Sequence, residues 1–101
     1  MEYNKLVRDK VPEIIKRDNQ FPVIHTASQE EYKQKLLEKL SEEVTEFYST
    51  ECTEELIDIL EVIYSIAESR GITKPQLDEI REQKKKDRGG FEKRIILEET
   101  K

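Results

Sequence analysis

"EEVTEFYSTECTEELID", residues 42–58, ends one amphipathic segment and begins the next, and it places carboxylates on both. Upstream, in "SQEEYKQKLLEKLSEEVTEFY", Ser28 and Glu31 form an S-x-x-E capping box. Tyr32, Leu36, Leu37, Leu40, Val44 and Phe47 follow at helical spacing, which predicts a helix over 29–48. Downstream, "TEELIDILEVIYSIAESRG" begins at Thr53 with Glu54 and Glu55 in its first turn, where acids favour the helix dipole. It stops at Gly71. A connection of about five residues makes the two helices antiparallel neighbours in a hairpin.

The flanks fit around this hairpin. In "ITKPQLDEIREQKKKDRGG", Thr73 and Gln76 repeat the capping box, Ile72 and Leu77 suit a hydrophobic staple, and Gly89-Gly90 closes a third long helix. Pro12 suits the first turn of a short helix in "VPEIIKRD". The β-branched stretches near residues 21–27 and 91–98 read as short extended, strand-like segments. The fold class expected is all-α, an antiparallel helical hairpin at the core of a helical bundle, in a single domain spanning 1–101.

Composition narrows the function. An apolar fraction of 35%, a charged fraction of 41% and few Gly or Pro suit a helical domain with a thin core. A net charge of −5 argues against a nucleic-acid polymer as partner, because phosphate backbones select basic surfaces. One Cys, Cys52, and one His, His25, exclude an intrachain disulfide and leave a structural zinc site short of ligands. No apolar run approaches the ~20 residues that span a bilayer, and "MEYNKLVRDK" lacks a signal-peptide core. A cytoplasmic chain with no membrane association is expected.

Helical angles, at about 100° per residue, separate the acids. With Leu40 at zero, Glu43 lies beside Leu36 at the edge of the apolar face, Glu46 about 60° further round, and Glu42 almost opposite. On the next helix Leu56 to Ala67 supplies an apolar arc wider than half the circumference. Glu55 lies inside it, Asp58 at its border, and Glu54, Glu61 and Glu68 on the polar face. In an antiparallel hairpin Glu43 opposes Asp58 and Glu46 opposes Glu55, giving two adjacent rungs. Cβ atoms at i, i+3 lie ~5–6 Å apart and facing helices ~8–10 Å, within reach of a shared cation. Carboxylates without His or Cys select hard ions, so Glu43, Glu46, Glu55 and Asp58 are candidate ligands for Mg2+, with Mn2+ as substitute. The wide apolar arc also predicts that the second helix is central or shared with a second subunit, as in a homodimer or dimer of dimers.

Two basic clusters complete the inventory, "NKLVRDK" near the start and "KKKDRGGFEK" near the end. Lys84 stands one helical turn before Arg88, and Gly89-Gly90 after it is read as freeing backbone N–H groups for an anion. His25 has no evident Ser or Cys partner, and Cys52 falls in the hairpin turn.

The pattern Glu43-x-x-Glu46 followed by Glu55-x-x-Asp58 on the next helix resembles the all-α nucleoside triphosphate pyrophosphatase superfamily, the MazG-like proteins. "YNKLVRDKVPEII" and "RGGFEKRIIL" look like its phosphoribosyl-ATP pyrophosphohydrolase-like branch, so the resemblance covers nearly the whole chain. It implies a MazG-like helical bundle and Mg2+-dependent cleavage of a nucleotide between its α- and β-phosphates, giving a monophosphate and pyrophosphate. It further implies that the four acids hold the metal and that Lys84, Arg88 and Lys93 neutralise the phosphate tail, with Lys5, Arg8 and Lys10 in support. It assigns no carboxylate as base. The alternative from another class is a non-catalytic helical interaction or nucleotide-binding module, with the acids as a charged rim.

Overall fold

The computed structural model describes residues 3–101, and they form four helices: α1 (Val11–Arg17), α2 (Gln29–Thr50), α3 (Thr53–Ser69) and α4 (Lys74–Arg88). No strand occurs among the described residues. Stretches 21–27 and 91–98 carry β-branched residues, but no strand pairs with them. Phe21, Val23 and Ile95 to Leu97 are therefore left in water.

Helices α2 and α3 pack as the antiparallel hairpin, and α4 packs on α3. Ser28 caps α2 by accepting from the Glu31 N–H at 3.2 Å. The reciprocal half of that capping box is absent, because the Glu31 carboxylate is instead 3.0 Å from His25 Nε2. At α4 both halves form: Thr73 Oγ1 accepts from Gln76 N, and Gln76 Oε1 accepts from Thr73 N. Only two residues, Glu51 and Cys52, join α2 to α3. The turn is tighter than the five-residue expectation because α2 continues to Thr50. Glu51 then takes a left-handed conformation (φ 51°), and its N–H closes on Phe47 O at 2.7 Å. The Thr50 hydroxyl donates to Glu46 O and accepts from the Cys52 N–H, so it staples both sides of the turn.

The core is thin, with Leu36, Val62 and Ala67 as its buried apolar side chains. Although α3 touches both α2 and α4, its Leu56, Ile57, Leu60 and Ile63 remain 39–57% exposed. The chain measures 60 × 32 × 24 Å with a radius of gyration of 17.8 Å, against the ~13 Å usual for a compact chain of about 100 residues. No described helix is long and apolar enough to cross a membrane.

Helix α1 packs against none of the other three. The segment before it is held to the hairpin largely by charge. Lys35 Nζ donates to the Asn4 carbonyl at 2.7 Å, Lys5 reaches Glu42 at 3.2 Å, and Arg8 reaches α3. These contacts bring the N-terminal arm to the acid-bearing region of α2 and α3.

Candidate metal centre

The turn fixes the register in which α2 and α3 face each other, and that register brings acids from both helices together. Carboxylate oxygens of Glu43, Glu55 and Asp58 all lie within 4.8 Å of one another. Glu43 is buried at 5% exposure, while Glu55 and Asp58 are half-buried. Glu46 is more exposed and sits outside this tight trio, though close enough for its charge to act on Glu55.

Glu43 is the unusual member. Its Oε1 lies 3.3 Å from Lys39 Nζ, one turn back on α2, but its Oε2 is buried without any hydrogen-bond partner. A buried carboxylate oxygen in that state is costly unless something outside the chain completes it. The Glu55 carboxyl is raised above its ordinary range, first by desolvation and then by the charges of Glu46, Glu43 and Asp58, with a hydrogen bond shared with Glu46 acting in the same direction. Protonation is one way to relieve such crowding and a cation is another. The donor set is all oxygen, drawn from two helices, and one of its residues, Glu43, has a buried oxygen without a partner. It fits a hard divalent ion such as Mg2+ or Mn2+.

Cations of the chain itself already flank the acids. Arg8 Nη2 donates to Asp58 Oδ1 at 2.7 Å and Nη1 to Glu61 Oε1 at 3.3 Å. These bonds, Asp58 first, hold the guanidinium still more firmly charged. Lys39 is also 3.6 Å from Glu42, which Lys5 approaches at 3.2 Å. Glu42 is therefore an ion-paired residue rather than a free solvated one. Lys39 escapes a reading of the sequence that looks only for ligands, although its i, i+4 spacing to Glu43 is a recognisable signal.

The remaining cations stand apart. Lys84 and Arg88 line one open groove of about 300 Å3 along α4, with Ile80, Gln83 and Asp87. The Gly89 N–H is not free for an anion as the sequence suggests, because it caps α4 by donating to Lys85 O at 2.7 Å. A Cβ at Gly90 would meet only the carboxylate end of the exposed Glu92 side chain, which can swing away. Lys93 lies in the following turn, and Lys10 occupies the position that precedes α1. Neither forms an ion pair among the described residues. Cys52 is exposed at the start of α3, with Sγ 3.7 Å from Thr50 O, and it takes no part in the acidic trio.

A protein of Mycolicibacterium smegmatis (strain ATCC 700084 / mc(2)155), described as uncharacterized, is 50% identical to this chain over 42 residues. The match covers 42% of this chain and 43% of that protein, less than half of the relative's length. No family model matches the chain, and no solved structure matches it.

Proposed function

We propose that this chain is a Mg2+-dependent nucleotide pyrophosphohydrolase of the MazG-like kind, cleaving the α–β phosphoanhydride of a nucleoside triphosphate or related nucleotide to a monophosphate and pyrophosphate. The observation that carries the reading is the convergence of Glu43, Glu55 and Asp58, with one buried oxygen of Glu43 left unpartnered. Glu43, Glu55 and Asp58 would hold the ion, with Glu46 at its edge. When bound, Mg2+ supplies Lewis acidity and offsets the charge of the phosphate chain.

The chain's own residues have separable tasks. Glu43 anchors the centre because it is buried and braced by Lys39. Glu55, whose carboxyl is raised by desolvation and by the charges of Glu46, Glu43 and Asp58, is an acid whose crowding a bound cation would relieve. Lys84 and Arg88 offer two cations one turn apart for a phosphate tail. Lys93, Lys5, Arg8 and Lys10 are the further cations of this reading.

The exposed faces of Leu37, Leu56, Ile57, Leu60 and Ile80 favour assembly of two or four copies, since a monomer of this shape leaves them in water. Light scattering tests this; a fully active monomer at micromolar concentration would contradict it. The same apolar surface also favours a second reading, a non-catalytic module that binds another protein or a nucleotide.

One assay separates the two. Ordinary, deoxy and damaged nucleotides and phosphoribosyl-ATP are incubated with Mg2+, and the products identified. Monophosphate with pyrophosphate supports the hydrolase. Orthophosphate as primary product excludes α–β cleavage, and no turnover across the panel favours the module.

A further inference from the structure

The acidic centre has a visitor from the far end of the chain. Arg8 lies 50 residues from Asp58 in sequence, yet its Nη2 is 2.7 Å from Asp58 Oδ1. Its other amino group bonds Glu61, which lies outside the acidic trio, so the guanidinium bridges the rim of the centre. The Arg8 side chain is 55% exposed, and α1 behind it packs on no other helix. Beyond half-buried Leu6 and Val7, the arm is tied down by Lys5 on Glu42 and by Lys35 on the Asn4 carbonyl. A segment held this way is easily exchanged for a stronger partner.

The charges around the centre show what that partner is. Glu43, Glu46, Glu55 and Asp58 face two resident cations, Lys39 on Glu43 and Arg8 on Asp58. Those two cations are also shared with Glu42 and Glu61, so negative charge stays in excess, and a divalent ion offsets more of it than the single charge of Arg8 does. Lys39 belongs to the same rigid helix as Glu43 and is only 18% exposed, so it stays where it is. Arg8 does not share that constraint. An ion held by Glu43, Glu55 and Asp58 would need an Asp58 oxygen and would set two positive charges close to the guanidinium.

We propose that Arg8 is a displaceable counter-ion of the acidic centre: it occupies Asp58 when no metal is bound and competes with the divalent cation for that carboxylate. Filling the centre and loosening the arm are then one linked equilibrium, and linkage makes the effect reciprocal. The proposal rests on the metal reading above and assigns to Arg8 a role before substrate arrives. Once displaced, the guanidinium stays tethered at the rim, with its fork open to a phosphate.

The test is calorimetric titration of the full chain with MgCl2 at fixed ionic strength, comparing wild type, Arg8→Ala and Arg8→Lys. The Arg8 Nε–Hε resonance is followed by NMR in the wild type. Arg8→Ala should bind Mg2+ about tenfold more tightly, the loss of one charge-assisted competitor. Arg8→Lys should fall between, because an ammonium keeps the charge but not the fork. The wild-type Arg8 resonance should move to the position of a free guanidinium at saturating Mg2+. Equal or weaker binding by Arg8→Ala, or an unmoved resonance, overturns the proposal while leaving the metal centre intact. Absence of Mg2+ binding in both wild type and Arg8→Ala overturns the metal reading as well.

Discussion

Lys39 and Glu43 hold each other at 3.3 Å across one turn of α2, and the carboxylate oxygen that Lys39 does not reach is the buried one without a partner. The pair accounts for one oxygen of the carboxylate and leaves the other without a partner among the described residues. Lys39→Met removes the half that the chain supplies. Metal-free stability should then fall by about 1–3 kcal/mol, the cost of leaving a buried charged group less well compensated. Mg2+ should restore most of it by binding only the native state. Urea unfolding in EDTA and in Mg2+ measures both, and unchanged metal-free stability would reduce Lys39 to an ordinary surface residue.

Glu54 and Glu55 are neighbours that composition cannot distinguish, yet Glu54 is exposed and Glu55 is drawn into the acidic group. Glu55→Gln keeps the shape and removes one charge, so Mg2+-dependent hydrolysis should drop by orders of magnitude with the fold retained. Glu54→Gln should leave activity nearly unchanged and cost at most about 0.3–1 kcal/mol through the helix dipole. Steady-state kinetics and thermal melts of both variants check this. Equal losses at the two positions would remove the geometric basis of the site.

That distinction was legible in the sequence because it depends on helical angle alone, while the hairpin was legible from the short connection and the caps at Ser28 and Thr73 from residue type and spacing. The antiparallel turn brings Glu43, Glu55 and Asp58 together although the loop is shorter than expected, with Glu46 outside that trio. Periodicity is silent on contacts between distant segments. Lys5 on Glu42 and Arg8 on Asp58 are made by long flexible side chains of an arm with no periodic pattern of its own. The β-branched stretches at 21–27 and 91–98 form neither helix nor strand, since β-branching favours a pleated surface only where a neighbouring strand provides one.

Titration offers an independent view of Glu55. Its carboxyl is raised, so in the native state it keeps its proton at pH values where the unfolded chain has already released it. The unfolded state then binds fewer protons, and stability must fall as pH rises from the ordinary glutamate range, near ~4.3, through the raised value, levelling off above it. In EDTA, Glu55→Gln should lose this fall while wild type shows it. Urea titrations at a series of pH values give the comparison, and parallel curves for the two proteins would contradict the crowding of charge at Glu55.

Arg88 tests the basic side of the proposed reaction. It shares the α4 groove with Lys84 and is remote in sequence from the acids. If it meets the phosphate tail, Arg88→Ala should lower kcat/KM by about 1.5–3 kcal/mol of transition-state stabilisation, with Mg2+ affinity unchanged. Kinetics equal to wild type would return Arg88 to the surface.

The central claim is that Glu43, Glu55 and Asp58 form a divalent-cation site, and Mn2+ titration followed by electron paramagnetic resonance tests it most directly. Wild type should quench the free-ion signal as Mn2+ binds, excess Mg2+ should restore that signal by displacement, and Glu55→Gln should leave Mn2+ free at the same concentrations. A wild-type titration that leaves the Mn2+ signal free, or a Glu55→Gln titration that matches the wild type, would contradict the account.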